Sequence, residues 1–168
     1  MSFDLKSIAA RTAIRDVLER YCRGIDRLDA ELITSVYWPE AIDDHGIYKG
    51  PGKDFAPVVI PLLRDNYRGT MHSLHQSLIE LHGSSAKSET YFVAYHFGGD
   101  ANGKFIDIAG GRYVDLLEER YGEWRISDRV VVIEWSRIDR NIETSPLPTD
   151  LFIPARRDRQ DIAYGRSK

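Results

Sequence analysis

The sequence predicts an α+β domain in which helices near the N-terminus pack on one face of a curved antiparallel β-sheet. Three observations carry that expectation. Apolar residues recur at steps of three and four early in the chain (Ala10, Ile14, Val17, Leu18, Tyr21, Ile25, Leu28), the spacing of one stripe on a helix. From Gly69 onward the period changes to two, over stretches rich in Thr, Val, Tyr and Phe. The links between those stretches, such as His82-Gly83-Ser84-Ser85 and Tyr121-Gly122, leave no room for a crossover helix, so neighbouring strands pair antiparallel.

Taken in order, the first helix covers residues 8–28, with Arg11, Arg15, Asp16, Glu19, Arg20 and Arg23 mostly off its apolar stripe. Gly24 weakens its end, which puts Asp26 in the last turn or just beyond. Asp29 caps a short helix over 30–37 that carries Leu32, Ile33, Val36 and Tyr37, and Pro39 ends it. Residues 41–48 read as a short strand broken by a turn at Gly46. Residues 53–66 form a third helix, in which Pro57 is tolerated at the first turn and Pro61 predicts a kink or a late start. Long strands follow over 70–81, 87–97, 104–120 and 123–135, and Gly110-Gly111 marks a bulge or a close approach. Beyond Arg137 the periodicity fades, and Pro146, Pro148 and Pro154 predict an extended tail. The expected organisation is one domain over 1–136 and a tail over 137–168, which lies on the domain or on a neighbouring subunit and frays at its end.

Composition narrows the function classes. Hydrophobic residues make up 42% of the 168 and charged residues 29%, which fits a globular chain with a sizeable core. A net charge of −3 with scattered basic residues argues against a nucleic-acid partner. The single cysteine, Cys22, excludes an internal disulfide and a cysteine-rich zinc site, and reads as a small buried residue. With no long apolar run near the N-terminus, no signal peptide or membrane span is expected, and the predicted location is cytoplasmic.

The candidate chemistry lies in a few polar residues at apolar positions. Tyr21 carries a hydroxyl into the helical stripe, and Asp26 sits at its edge. The helix dipole and partial burial both predict a raised pKa for Asp26. Histidines stand at 45, 72, 75, 82 and 96 without a helical metal-binding spacing, so no metal is expected. His72 and His96 lie in strands with apolar or aromatic neighbours; if those strands pair, both rings project into one concave space. His75 has the opposite parity and should face outward or into helix packing, and His82 begins a solvated turn. An Asp26-supported His72 makes a base suited to abstracting a proton next to an electron-withdrawing group, with Tyr21 donating to an enolate or leaving group. Arg112 either faces the cavity, where it binds an oxygen, or forms an outer salt bridge. No phosphate loop or dinucleotide fingerprint is present, and no cofactor is expected.

The segments RYCRGID, DDHGIYKGP, GTMHSLHQSLIEL, ETYFVAYH and YGEWRISDRVVVIEW resemble the SnoaL-like proteins, over roughly residues 5–136. The resemblance implies a cystatin-like cone of curved antiparallel sheet closed by an N-terminal helix, as in nuclear transport factor 2. It is closest in motif to lyases of the scytalone dehydratase and bile-acid 7α-dehydratase type, which use an Asp–His dyad within the cone. On that pattern Asp26 and His72 correspond to the dyad, Tyr21 to the tyrosine of the bile-acid enzyme, and His96 to the second histidine of scytalone dehydratase. The hexachlorocyclohexane dehydrochlorinase has lysine where this chain has Tyr21, so dehydrochlorination is less favoured. Tyr48, Arg112 and Trp135 are the expected substrate-binding residues.

The resemblance implies a cofactor-independent dehydratase acting on a hydrophobic ring compound such as a steroid or polyketide. Its alternatives are a non-catalytic binding module like the β subunit of ring-hydroxylating dioxygenases, and a polyketide cyclase or isomerase. The expected partners are a small hydrophobic ligand and further copies of the chain, as a dimer or trimer, because the outer faces of the strands carry Tyr91, Val93, Tyr95 or their neighbours while the alternating residues fill the cone, so both faces of the sheet need cover.

Overall fold

A computed structural model describes residues 4–140 and 151–165. Helix α1 (Leu5–Arg27) starts three residues earlier than the periodicity predicts, because Asp4 caps it through the Ser7 amide at 2.8 Å. It ends at Leu28, in the left-handed region with φ 53°. Gly24 leaves room for the second helix, since a Cβ there would come within 2.8 Å of Ile33 Cγ1. Helix α2 (Ala30–Ser35) is capped by Asp29 as expected, but it stops before Val36. Tyr37 already belongs to strand β1 (Tyr37–Asp44), so Pro39 lies inside a strand instead of ending a helix. The pairing register shifts between Tyr37 and Ile42, and an irregular stretch tolerates a residue without an N–H.

Strand β2 (Lys49–Pro51) and a 3₁₀ turn (Gly52–Asp54) lead into helix α3 (Phe55–Asn66), which continues through Pro61. The long strands β3 (Gly69–His82), β4 (Ser85–Asp100), β5 (Gly103–Arg120) and β6 (Glu123–Arg140) form the expected antiparallel meander. Tyr121 and Gly122, with φ 56° and 80°, make the tight turn between the last two. The six strands form one open sheet in the order β2-β1-β6-β5-β4-β3. One feature departs from the all-antiparallel expectation: β1 pairs parallel to β6. Helix α3 and the whole meander separate those two strands in sequence, which supplies the long connection that a parallel pair requires.

α1 lies against β3, where the wet side of its stripe finds work. Arg11 Nη1 donates to the Ile79 carbonyl at 2.5 Å, and Arg15 Nη1 donates to His75 O and Ser77 Oγ at 2.8 and 2.7 Å. β3 is an edge strand with a register shift between Leu74 and Ser77, and these guanidiniums satisfy carbonyls that the ladder leaves open. The clamp fixes how the C-terminal turn of α1 meets the start of β3. The core fills the space between the helices and the sheet, with Ile14, Val17, Tyr21, Ile33, Phe55, Leu117 and Ile126 almost fully buried.

β6 runs to Arg140, past the predicted end at Trp135. Of the tail, Pro146 and Pro148 and the last three residues lie outside the described residues. Residues 151–165, ending in the one-turn helix α4 (Ile162–Gly165), return to the domain. Arg157 Nη1 donates to the Leu63 and Tyr67 carbonyls, and Arg159 and Tyr164 both reach the Asp29 carboxylate. Among the described residues no helix is long and apolar enough to cross a membrane.

Candidate active site

The last turn of α1 and the first residues of β3 meet at Asp26 and His72. The Asp26 carboxylate accepts three hydrogen bonds: from Thr70 Oγ1 at 2.9 Å, from the His72 backbone N–H at 3.0 Å and from His72 Nδ1 at 2.7 Å. Both side chains are largely buried, at 13% and 9% exposure. Burial pushes the Asp26 carboxyl up, but the three bonds and the imidazole outweigh it, and the carboxyl is held below its ordinary value. That reverses the expected raised pKa. Helix-end repulsion gives way because the donors touch the carboxylate directly. Asp26 is thus a hydrogen-bond acceptor that orients the neighbouring ring. With Nδ1–H committed to Asp26, Nε2 carries the free lone pair.

His72 lines a cavity of about 380 Å³ between α1, α3 and the concave face of the sheet. Its wall is mostly apolar and aromatic, including Ile25, Val59, Leu63, Phe92, Ala94 and Val131. Ile47, Leu62 and Ile133 are partly exposed and give it an apolar mouth. Four polar rings join this lining around His72: Tyr21, His45, Tyr67 and His96. Such a space suits a small apolar ligand oriented by a few polar contacts.

Pairing of β3 with β4 brings His72 opposite Ala94 and Thr70 opposite His96. The two imidazoles stand edge to face with centroids 5.8 Å apart, as the strand parity predicts. His96 Nδ1 donates to the Asp107 carbonyl at 3.3 Å, so its Nε2 also carries a lone pair. Burial, reinforced by the neighbouring His72, lowers the His96 pKa and keeps it neutral. His75 and His82 are exposed, as expected.

The three expected substrate-binding residues do not come to this cavity. Arg112 sits on the outer face, paired with Glu134 at 2.6 Å and Glu89 at 3.2 Å, because β5 turns its alternate neighbour Tyr113 inward. The register of β5 and β6 shifts between Gly110 and Gly111, which places Trp135 opposite Gly110. The indole lies over Gly110, where a Cβ would come within 2.3 Å of it, and it is 46% exposed. The glycine pair is therefore both a bulge and a close approach. Tyr48 packs on Phe55 and donates to the Pro51 carbonyl at 2.8 Å, which turns its hydroxyl away from the lining.

Sequence reasoning missed a buried polar cluster next to Tyr21. Asp115 and Arg129 face each other across β5 and β6 as a bidentate pair at 2.7 and 2.9 Å, both fully buried. The Arg129 guanidinium lies 4.2 Å from the Tyr21 ring centroid and 4.4 Å from that of Tyr113. Asp43, also fully buried, accepts from the Tyr37 hydroxyl and from His45 Nδ1. His45 Nε2 in turn meets the Tyr21 hydroxyl at 2.9 Å. The signal for these residues was parity: Asp115 alternates with Tyr113 and Leu117, and Asp43 with Ala41 and His45.

A profile of the SnoaL-like domain matches residues 6–130. The chain belongs to the SnoaL-like family. Known structures place this SnoaL-like chain in a cystatin-like fold. It is similar to a hexachlorocyclohexane dehydrochlorinase, LinA type 2, with 21% identity over 85% of this chain and 97% of that one, at a TM-score of 0.74. A candidate scytalone dehydratase from Novosphingobium aromaticivorans is 16% identical over 83% and 93% of the two chains, at 0.70. A protein of unknown function with a cystatin-like fold, from Nostoc punctiforme, is 15% identical over 74% and 90%, at 0.61. No curated protein matches the sequence. At these identities the structural likeness shows the fold.

Proposed function

We propose that this SnoaL-like protein is a cofactor-independent lyase that removes water from a hydrophobic ring compound. The observation that carries the proposal is the 2.7 Å contact between Asp26 Oδ1 and His72 Nδ1 beside an apolar cavity. A binding module needs no such pair, whereas a proton-abstracting enzyme needs a base with a fixed tautomer. In this reading His72 Nε2 takes a proton from a ring carbon next to a carbonyl. Asp26 holds the ring and stabilises the imidazolium that forms. His96, neutral and with Nδ1–H committed, accepts a hydrogen bond from the substrate hydroxyl and orients it. Tyr21 hydrogen-bonds to the departing oxygen, and the apolar wall excludes bulk water and supplies most of the affinity.

The elimination balances without a cofactor. The C–H electrons form the new C=C bond, the C–O bond breaks, and the departing oxygen leaves as water after taking up a proton. Dehydrochlorination is the less favoured variant, because Tyr21 stands where the dehydrochlorinase pattern has lysine. The test is a screen of hydroxylated bicyclic and steroidal ketones for loss of water by mass spectrometry. His72→Ala is expected to abolish the product and Tyr21→Phe to slow it by about 10²-fold. Product formation that is unchanged in His72→Ala would overturn the reading.

A further inference from the structure

The contact between Tyr21 and His45 raises a question about proton direction. When His45 is neutral, Asp43 holds its proton on Nδ1, so Nε2 accepts the Tyr21 hydroxyl hydrogen. Tyr21 then shows the cavity only a lone pair. When His45 is protonated, Nε2–H donates to Tyr21 Oη, and the tyrosine's own hydrogen is free to point at a ligand. Which way Tyr21 donates is therefore set by one proton on His45.

We propose that Asp43, His45 and Tyr21 form a proton relay that exchanges a proton between His45 and a ligand oxygen seated against Tyr21. Both Tyr21 and His45 line the cavity, and Tyr21 Oη lies within hydrogen-bond reach of His45 Nε2. Neither residue contacts Asp26 or His72 by any hydrogen bond found among the described residues, so the relay is a second proton station. The surrounding charges favour it. Asp43 and Asp115 place two buried carboxylates against the single guanidinium of Arg129, and a proton on His45 brings this cluster to neutrality. Phe55 stacks on the imidazole at 4.3 Å and holds its plane. Burial and, less strongly, the Arg129 guanidinium oppose the charge and lower the His45 pKa despite Asp43 and Asp115.

In the elimination proposed above, on which this catalytic use rests, the cycle starts with His45 as the imidazolium, its Nε2–H donated to Tyr21 Oη, and the C–O bond breaks as Tyr21 gives its own proton to the departing oxygen. Tyr21 Oη regains a proton from His45 Nε2, and His45 ends neutral. His72 meanwhile holds the proton taken from carbon; it returns that proton to solvent, and His45 takes one up. His45 touches the departing group only through Tyr21 and is a positioning and proton-storing residue.

The relay is testable without the natural substrate. 4-Nitrophenol is an apolar ring with one acidic hydroxyl, and its absorbance separates phenol from phenolate. Bound to the wild type, it is expected to ionise about one pH unit or more below its midpoint in solution. In ¹⁵N spectra the His45 ring is expected to turn to imidazolium as the phenol binds. His45→Gln and Tyr21→Phe, the second of which removes only a hydroxyl, are expected to return the bound probe to its solution midpoint. His72→Gln is expected to leave the shift in place. A shift that survives in Tyr21→Phe, a shift lost in His72→Gln, or failure of the wild type to bind the probe would each overturn the relay. These outcomes do not depend on lyase turnover, so a failed relay and a failed dehydratase reading are told apart.

Discussion

Replacing Asp26 by asparagine is expected to reverse the tautomer of His72. The wild-type carboxylate uses Oδ2 for the His72 backbone N–H at 3.0 Å and Oδ1 for Thr70 and His72 Nδ1 at 2.9 and 2.7 Å. An amide must keep its oxygen on the backbone N–H, since an NH₂ there would meet another donor. Its NH₂ then faces Thr70 and His72 Nδ1. Thr70 adapts by turning its hydroxyl, but the imidazole must present a lone pair at Nδ1 and carry its proton on Nε2. The ring stays in place and loses its base. All three charge-assisted contacts to the carboxylate become neutral ones, a combined loss of about 1.5–3 kcal/mol, or roughly 3–12 °C in Tm for a chain of this size. The corresponding change in a serine-protease triad, which also fixes the wrong tautomer, lowers turnover by about 10⁴, equivalent to about 5.5 kcal/mol of barrier. The assay is ¹⁵N NMR of the histidine rings in neutral protein, which separates the two tautomers without a substrate. Nδ1–H in the wild type and Nε2–H in the variant is the expected pair of results. An Nε2–H tautomer in the wild type, or no change in Asp26→Asn, would refute the reasoning.

Three further outcomes follow from the same geometry. The Asp26 pKa is held down in the folded state, so its contribution to stability is complete above the unfolded value near pH 4 and is lost as pH falls through the lower folded value; the Tm gap between wild type and Asp26→Asn should close as a melting series descends below about pH 4. Arg129→Met leaves Asp115 buried without its partner and should cost about 3–5 kcal/mol in urea unfolding, with most of the loss recovered when Asp115→Leu is added. The outer face exposes Met71, Tyr91, Leu116 and Trp135, at 49%, 37%, 50% and 46%, and a second copy of the chain is expected to cover it. Light scattering should then give a mass of at least two chains, reduced in Trp135→Glu, and a one-chain mass at micromolar concentration would contradict this.

Much of the site was legible in the chain because it depends on local periods. The helical stripe placed Tyr21 and Asp26 one turn and a half apart on α1, and strand parity put His72 and His96 on one face of β3 and β4. The substrate-side residues failed where the local period breaks. Trp135 lies beyond the bulge at Gly110/Gly111, and one extra residue moves every later side chain of β6 to the other face. The parallel pairing of β1 with β6 was hidden for a different reason: strands at opposite ends of the sheet-forming segment meet only in three dimensions. Reading residues 41–48 as a strand with a central turn, instead of β1 ending at Asp44, also obscured the inward parity that joins Asp43 to His45. The Asp26 pKa went astray because a helix dipole is weaker than three direct donors, and the donors come from a strand 44 to 46 residues away.

The most direct test is whether His72 takes a proton from carbon in this cavity. A hydrophobic bicyclic ketone with a hydroxyl β to its carbonyl would be incubated with the protein in D₂O, and deuterium entry at the carbon between the two groups followed by NMR beside the formation of the dehydrated product. Deuterium entry or water loss that depends on the wild-type protein and disappears in both His72→Ala and Asp26→Asn is the predicted result. Exchange and elimination at the same rate in His72→Ala as in the wild type would contradict it.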